Sequence, residues 1–382
     1  MRVLVAMSGG VDSSVAAALL VEQGHEVVGA TLKLWGGPSD SGCCSVADVD
    51  DARRVAQQLG ITHHVFNLTE EFDRMVVAPY VGEHARGRTP NPCIECNRSM
   101  KFDRLLHRAD RLGFHRLATG HHARIAGDVG DVGDAGDVGD AGAVAATFQL
   151  RRGADPLKDQ SYVLSMLGQE ALARVVFPVG DMTKEEVRAH ARRLGLRTAG
   201  KPDSQDVCFV GSAEGREGFL SRRVELHAAE VVDGEGRSAG SVPAVELVTV
   251  GQRRGMGHGS DGKRRYVTHV DVAARRVVVG SAAEVLRSSV LLAGPTMTWV
   301  DRPLSPGARA VAQVSAHGRP VACTVQAAPG VESVHQESGP ESQDIGMEVI
   351  FDEPQRPVAP GQTVALYDAL DPDAVVGAGI AA

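Results

Sequence analysis

The hydrophobic pattern of the first third of the chain alternates between short apolar runs and longer amphipathic stretches. The apolar runs predict strands at residues 3–7, 27–32, 63–68 and 116–118, and the stretches between them predict helices at 14–24, 46–59, 70–84 and 99–112. Strands and helices that alternate at this spacing are typical of βαβ units, which build a parallel sheet. Ligands of such a sheet bind beyond the carboxyl ends of its strands.

The pattern changes toward the carboxyl end. Helices are predicted at residues 169–176 and 183–194, the second of which starts with the capping box Thr183/Glu186. From about Glu225, short apolar runs separated by turns predict small β-barrels, with strands at 230–234, 266–270, 276–279, 311–314, 323–325 and 363–367. The predicted fold is α/β: a parallel-sheet nucleotide-binding domain over residues 1–212, a small central β-rich domain over 213–280, and a β-barrel-like domain over 281–382.

Two polar segments interrupt these domains. A repeat of Gly-Asp-Val and Gly-Asp-Ala occupies about residues 127–145, and residues 331–344 have no apolar period. Neither segment has enough apolar residues to pack, so both are predicted to be loop insertions.

A glycine-rich turn, Met7–Ser13, follows the first apolar run and leads into the first predicted helix. Two glycines allow backbone N–H groups to approach an anion, and the helix dipole favours negative charge there. Ser8 and Ser13 add hydroxyl donors, and Asp12 is a candidate ligand for Mg²⁺. The turn lacks the Gly-Lys-Ser/Thr ending of a Walker A loop. It resembles instead the PP-loop, Ser-Gly-Gly-x-Asp-Ser, of enzymes that split ATP into AMP and pyrophosphate.

Composition is ordinary for a globular protein, with 43% hydrophobic and 23% charged residues among 382, and a net charge of −8. This net charge does not by itself indicate a nucleic-acid partner. Residues 98–124 nevertheless contain seven Arg or Lys against two acids, which indicates either a solvated helix or a face for a phosphate backbone. Apolar runs are too short to cross a bilayer, and cleavage of a signal peptide would destroy the Met7–Ser13 loop. We therefore expect a cytoplasmic protein without a membrane partner.

Six cysteines occupy positions 43, 44, 93, 96, 208 and 323. Cys93 and Cys96 form a Cys-x-x-Cys pair, predicted in a loop before the basic helix, whereas Cys208 is distant; the other three are expected to be structural. A reducing cytoplasm argues against a disulfide framework, and no second Cys-x-x-Cys exists for a zinc site. One pair with one distal cysteine suits redox or sulfur-transfer chemistry, or an iron–sulfur cluster held by three cysteines.

Several motifs occur in a fixed order: Met7–Ser13, Gly87–Pro92 before Cys96–Asn97, Ala118–His121, Lys158–Tyr162, Lys201–Ser204 before Cys208–Phe209, Gly251–Arg253 with Gly255–Gly257, and Pro360–Gln362. Through them the chain resembles the tRNA 2-thiouridylase (MnmA) family over nearly its whole length, apart from the two insertions. The PP-loop alone is moderately specific for this family, and the ordered set is highly specific.

The resemblance implies a reaction. ATP would transfer AMP to the C2 oxygen of the wobble uridine of tRNA, and the PP-loop would release pyrophosphate. Cys208 would carry sulfur as a persulfide, and Cys96 would be the partner thiol that closes a disulfide as sulfur leaves. The uridine must leave the anticodon stack to react. The implied cofactors are ATP and Mg²⁺, and the implied partners are tRNA and a sulfur donor such as a cysteine desulfurase or a sulfur-relay protein.

The resemblance also implies two sets of binding residues. Those implied for ATP are Ala6, Met7, Ser8, Gly9, Gly10, Val11, Asp12, Ser13, Leu32 and Gly120. Those implied for tRNA are Asn91, Pro92, Cys93, His121, Lys158, Asp159, Gln160 and Gln362. No residue is assigned to a resident metal ion.

Cys93 departs from the family pattern, because some members have an aspartate at this position. The departure creates a trio of Cys93, Cys96 and Cys208, so thiolation through an iron–sulfur cluster remains an alternative to the favoured persulfide route. Two further alternatives are a PP-loop ligase or amidotransferase that acts on a small molecule, and an RNA-binding protein with ATP as a structural ligand.

Overall fold

The computed structural model describes residues 1–35, 45–127, 147–203, 207–211, 214–259, 262–328 and 346–382. Cys43, Cys44, nearly all of the Gly-Asp repeat and the predicted loop 331–344 lie outside these ranges. Within the described ranges, no helix has the length and apolar character needed to cross a membrane.

The amino-terminal domain is built on a parallel sheet, as the hydrophobic pattern predicts. The amino-terminal strands are β1 (Arg2–Ala6), β2 (Glu26–Lys33), β3 (Thr62–Asn67), β4 (Arg116–Thr119), β5 (Ala123–Ala126), β6 (Gln149–Arg152) and β7 (Val175–Val176). The parallel sheet has the order β3-β2-β1-β4-β7, and β5 pairs with β6 in a separate hairpin. On β1, Leu4 packs on one face of the sheet while Val3 and Val5 pack on the other, because successive side chains of a strand alternate.

Helices cover both faces of this sheet. The helices of the chain are α1 (Val11–Glu22), α2 (Val46–Leu59), α3 (Thr69–Phe72), α4 (Ala78–Ala85), α5 (Pro92–Glu95), α6 (Leu105–Arg111), α7 (Ser161–Leu164), α8 (Gln169–Leu172), α9 (Lys184–Arg193) and α10 (Gly215–Ser221). Wider π-helical turns join α3 to α4 at Asp73–Val77 and α5 to α6 at Cys96–Arg104. Short 3₁₀ turns lie at Arg197–Gly200, Val245–Leu247 and Gly294–Thr296. The predicted capping box of Thr183 and Glu186 is confirmed at α9.

Two sequence predictions about these elements are wrong. The basic helix begins at Pro92 rather than at residue 99, so Cys93 and Cys96 lie in its first turns and not in a loop. The reason is that the Asn91 side chain accepts hydrogen bonds from the Cys93 and Ile94 N–H groups, and a proline follows it. Val175 and Val176, predicted as the end of a helix, instead form the edge strand β7 beside β4, a role that suits β-branched residues.

The carboxyl-terminal half is β-rich, as predicted. Its strands are β8 (Ala229–Asp233), β9 (Ser238–Val242), β10 (Tyr266–Asp271), β11 (Arg276–Gly280), β12 (Arg287–Leu292), β13 (Thr298–Trp299), β14 (Arg309–Gln313), β15 (Val321–Ala327), β16 (Met347–Gln355), β17 (Thr363–Asp368) and β18 (Val375–Ile380). Among the described residues they form two sheets, in the orders β10-β11-β8-β9 and β12-β16-β15-β14-β17-β18-β13. A bridge between Leu292 and Ala381 draws opposite sides of the second sheet together, as in a barrel.

The barrel packs against the amino-terminal domain through a polar and aromatic contact. The Tyr162 hydroxyl on α7 donates to the Thr363 carbonyl at 2.9 Å, and the Ser161 and Tyr367 hydroxyls are 2.9 Å apart. The Arg152 guanidinium stacks 3.8 Å from the Tyr367 ring centroid. This contact fixes the barrel beside the segment that leads into α5.

Candidate active site

The loop Met7–Ser13 lies at the carboxyl end of β1, where the chain order of the sheet reverses between β1 and β4. The Ser8 N–H donates to the Ser13 hydroxyl at 3.2 Å, and this hydroxyl donates to the Gly10 carbonyl at 3.2 Å. The N–H groups in the first turn of a helix have no intrahelical partner, and no side chain of the described residues caps α1. These N–H groups are therefore available to a ligand. The loop and the helix therefore present several backbone donors to one point, as an anion site requires.

Two glycines permit close contacts around this loop. Gly9 has a φ of +74°, and a Cβ there would collide with the Asp48 carbonyl of α2. A Cβ on Gly120 would lie 2.5 Å from the Ser13 nitrogen, so β4 ends directly against the loop. Leu32 lies at the same edge of the sheet, on β2 two residues beyond Ala30, the register partner of Ala6. The structure thus brings the residues expected at ATP to one edge.

Asp12 is held by two residues that the sequence analysis did not single out. The Lys184 ammonium donates to both Asp12 carboxylate oxygens, at 2.8 and 2.7 Å, and His122 Nε2 lies 3.1 Å from Oδ1. Burial alone would raise the pKa of Asp12, but the hydrogen bonds from His122 and Lys184 outweigh it and lower this pKa. These partners are 110 and 172 residues away in the sequence, so no local pattern reveals them.

The segment that precedes Cys208 is tied to the same loop. Lys201 donates to the Gly9 carbonyl at 3.0 Å and to Asp48 and Asp51 of α2 at 2.5 and 2.8 Å. Asp203 lies 2.9 Å from the Lys184 ammonium. These contacts join the loop to the chain only a few residues before Cys208.

Asp203 also accepts hydrogen bonds from Lys158 and Arg188, each at 2.8 Å. Burial would raise the pKa of Asp203, but hydrogen bonds from Lys158 and Lys184 hold it far below its usual value. The carboxylate is therefore ionised, and an ionic chain extends from Asp12 through Lys184 and Asp203 to Lys158.

Cys96 and Cys208 contribute to the same apolar core. Cys96 is 9% exposed and belongs to the large cluster on one face of the sheet, and Cys208 packs against the same cluster. Cys93 and Cys208 are half-buried. Val207, directly before Cys208, has a φ of +53°, a strained conformation for a β-branched residue. Cys323 is fully buried in the barrel, and burial raises its pKa to about 11.

An aromatic cluster anchors the residue after Cys208. The Phe209 ring lies 5.2 to 6.1 Å from four other ring centroids, those of Trp35, Phe72, Tyr80 and Phe219. Contacts at these distances add to the stabilisation from burial alone. The chain around Cys208 is therefore anchored after this residue by the aromatic cluster, and before it by the ionic contacts of Lys201 and Asp203.

The residues expected at tRNA lie in two groups. In the first, the Asp159 carboxylate accepts hydrogen bonds from Gly153, Ser161 and Arg152, while Gln160 accepts one from the His122 N–H. This group therefore connects Lys158–Gln160 to the residues after Gly120.

His121 belongs to the first group but is buried. Its Nδ1 lies 2.7 Å from the Thr119 hydroxyl, and its ring contacts Phe102 and Phe177. Burial lowers the pKa of His121 well below its usual value, so the ring is neutral.

The second group lies where the barrel meets the helix that begins at Pro92. The Gln362 amide donates to the Thr89 carbonyl at 2.8 Å, and the Pro360 carbonyl accepts a hydrogen bond from the Thr89 N–H at 2.7 Å. Asn91 caps the helix, as described above, and Cys93 follows two residues later. This group thus places Gln362 against Thr89, two residues before the Asn91 cap of the helix that carries Cys93.

The sequence suggests two metal groups, an iron–sulfur cluster and Mg²⁺, and the side chains present fit only one of them. Over the described ranges, no three His, Cys, Asp or Glu residues converge as a metal site, so Cys93, Cys96 and Cys208 do not fit a resident iron–sulfur cluster. A single carboxylate, Asp12, does fit Mg²⁺, because this ion commonly takes one protein carboxylate and completes its shell with water and substrate phosphates.

A parallel sheet with a glycine-rich anion loop at its switch point defines an α/β nucleotide-binding protein of the PP-loop type. Residues 1–212 match the family described as tRNA methyl transferase HUP domain, and residues 295–381 match the aminomethyltransferase beta-barrel domain.

Relatives that match nearly the whole chain define the family more narrowly than the two domain families do. The chain is 44% identical to the tRNA-specific 2-thiouridylase MnmA of Roseiflexus sp. (strain RS-1), over 99% of this chain and 98% of that protein. It is 42% identical to the same enzyme of Geobacter metallireducens, over 99% and 96%, and 41% identical to that of Mycobacterium leprae, over 98% and 96%. The chain therefore belongs to the tRNA-specific 2-thiouridylase (MnmA) family.

Proposed function

We propose that this protein replaces the C2 oxygen of the wobble uridine of tRNA by sulfur, at the expense of ATP. The observation that carries the proposal is the junction of the PP-loop with the cysteine-bearing segments. Lys201 and Asp203 connect the loop to the chain just before Cys208, and Cys208 packs against the core that contains Cys96. Family membership over the full length supports tRNA as the substrate.

The first step activates the uridine. Its C2 oxygen attacks the α-phosphorus of ATP, the bond to pyrophosphate breaks, and the base carries AMP on that oxygen. The backbone donors of the loop and the N-terminus of α1 stabilise the negative charge of the phosphates. Mg²⁺ bound to Asp12 would neutralise part of this charge.

The second step transfers sulfur. Cys208 carries a terminal sulfur as a persulfide, and the Cys96 thiolate attacks the Cys208 sulfur atom. The persulfide bond breaks, the released sulfide attacks C2 of the base, and AMP leaves with the original oxygen. The products are 2-thiouridine and a disulfide between the two cysteines, which an external thiol must reduce before the next turnover.

Binding roles follow from the position of each residue. We assign the nucleotide to Ala6–Ser13, Leu32 and Gly120, and the RNA to Asn91, Pro92, Cys93, Lys158, Gln160 and Gln362. Asp159 and His121 support this surface from within, since the Asp159 carboxylate is bound by protein donors and His121 is buried. A cysteine desulfurase or a sulfur-relay protein would supply the persulfide, in the cytoplasm. The domains would extend over residues 1–212, 213–280 and 281–382.

The cysteine variants test this function. With unmodified tRNA, ATP, and a cysteine desulfurase with cysteine as the donor of persulfide sulfur, Cys96→Ser and Cys208→Ser are expected to release pyrophosphate once per site but to form no 2-thiouridine. Cys323→Ser is the matched control and should thiolate normally, because Cys323 is buried in the barrel. Normal thiolation by both site variants would refute sulfur transfer through these cysteines. Pyrophosphate release without RNA would favour a small-molecule ligase.

A further inference from the structure

The loop Met7–Ser13 contains no lysine, although it would receive a polyphosphate. Its charged side chain is the acid Asp12. Backbone donors and a helix dipole contribute only partial positive charges. A cationic side chain near the phosphates would therefore have to come from another part of the chain.

Lys184 occupies the position that such a cation requires. It is the first residue of α9, its side chain is 12% exposed, and its ammonium contacts both oxygens of Asp12. A lysine has three N–H donors, and the remaining oxygen within reach belongs to Asp203, at 2.9 Å. The ammonium is thus placed beside the loop by one acid of the loop and one acid outside it.

Other cations near the loop are bound mainly by groups outside it. Lys201 contacts the loop only at the Gly9 carbonyl, and Asp48 and Asp51 of α2 balance its charge. Arg188 donates to the carbonyls of Ala199 and Lys201 and to Asp203, and so holds the chain near Cys208. Among the described residues, Lys184 is the cation that contacts Asp12 and also a second carboxylate, Asp203, which can hold the ammonium when Asp12 is released.

We propose that Lys184 is the phosphate-binding cation of this PP-loop, and that Asp203 positions it. The inference rests on the proposed use of ATP. Phosphate oxygens compete with Asp12 for the Lys184 ammonium, so nucleotide binding transfers the lysine from carboxylate to phosphate and leaves Asp12 available to Mg²⁺. Asp203 keeps the ammonium over the loop during this exchange.

The test is calorimetric titration of the full-length protein with inorganic pyrophosphate in the absence of divalent cations. Lys184→Gln is expected to weaken pyrophosphate binding by about 10- to 100-fold, as for loss of a charge-assisted hydrogen bond, while AMP binding changes by less than about threefold. Lys184→Arg should retain most of the affinity. Arg192→Gln is the matched control, because it removes an equal charge from an exposed position on the same helix, and it should bind as the native protein does.

A second variant separates phosphate binding from a merely structural bridge. Asp12→Asn removes the competing carboxylate, so it should bind metal-free pyrophosphate as tightly as the native protein or more tightly. If Lys184 served only to bridge Asp12 and Asp203, Asp12→Asn and Lys184→Gln would both weaken binding. That result, or equal affinity of native protein and Lys184→Gln, overturns the inference while ATP use stands. Failure of the native protein to bind pyrophosphate and ATP overturns the proposed function as well.

Discussion

At the scale of single residues, glycines determine how closely the elements of the nucleotide site approach one another. Gly120 touches the backbone of Asp12 and Ser13, where any Cβ would meet atoms at 2.5 to 2.6 Å. Backbone cannot move aside as the end of a flexible side chain can. The loop can therefore keep its conformation only when residue 120 has no side chain.

Gly120→Ala is expected to displace the loop and to reduce ATP affinity by about tenfold or more, with a lower melting temperature. Calorimetric titration with ATP and a thermal unfolding scan measure the two effects. Gly234→Ala serves as control, because nothing lies within 4 Å of its added Cβ and it should behave as native. Unchanged ATP affinity in Gly120→Ala would show that Gly120 does not border the nucleotide.

The cysteines differ in burial, and we expect their reactivity toward alkylating reagents to differ accordingly. Cys208 is half-buried, Cys96 is 9% exposed and Cys323 is fully buried. With a pKa near 11, only about one part in a thousand of Cys323 is thiolate at pH 8. Brief alkylation with iodoacetamide, followed by peptide mass spectrometry, should therefore modify Cys208 first, then Cys96, and Cys323 last. Labelling of Cys96 before Cys208 would contradict the packing described here.

The sequence predicts part of this site because the loop Met7–Ser13 is a local pattern that follows a strand. Lys184 and His122 could not be found in this way, since only the folded sheet brings them to Asp12. The same holds for Lys201. This residue belongs to one of the motifs named above, but no spacing in the sequence indicates its contact with Gly9.

At the scale of elements, the helical stretch from Pro92 to Arg111 carries Cys96, the proposed attacking thiol. Hydrophobic periodicity detects its second half, whereas its start depends on the cap formed by Asn91. The π-helical turns at Cys96–Arg104 disturb the 3.6-residue period, which explains why the pattern places the start too late. Such turns frequently occur at functional sites, in agreement with the proposed role of Cys96.

Loss of the cap should destabilise this stretch. Asn91→Ala is expected to lower the free energy of unfolding by about 1 kcal/mol, because the N–H groups of Cys93 and Ile94 lose their acceptor. Asn91→Asp retains the acceptor and should recover most of that loss. Urea unfolding at neutral pH measures both. If the two variants are equally destabilised, the effect does not arise from capping.

At the scale of the whole molecule, the hydrophobic pattern predicts the order of an α/β domain and β-rich domains, and the structure confirms it. It does not predict how they dock, because docking depends on single contacts such as Ser161 with Tyr367 and Gln362 with Thr89. Such contacts join residues that are distant in sequence and leave no periodic signal.

A buried histidine lies where α4 meets the central domain. Burial, together with the nearby charge of Arg216, lowers the pKa of His84 to about 4, although the Glu246 backbone and Glu83 act in the opposite direction. The unfolded chain would have a pKa near 6.5 at this residue. It therefore binds a proton that the folded protein does not, and stability is lost as pH falls from about 6.5 to about 4.

His84→Phe should remove this dependence. Between pH 7.5 and pH 5, the native protein is expected to lose about 2 kcal/mol more unfolding free energy than the variant does. Urea unfolding at the two pH values measures the difference. His107→Gln is the control, because His107 is exposed and its loss should leave the native pH dependence in place. Equal pH dependence in native protein and His84→Phe would contradict a buried neutral His84.

The central claim is that the PP-loop and the two cysteines together exchange one oxygen of uridine for sulfur. The most direct measurement is mass spectrometry of nucleosides from unmodified tRNA incubated with the protein, ATP and a sulfur source. We expect 2-thiouridine at the wobble position, formed only with ATP and absent with Cys96→Ser or Cys208→Ser. Consumption of ATP in the presence of tRNA without any gain of 2-thiouridine would contradict the account.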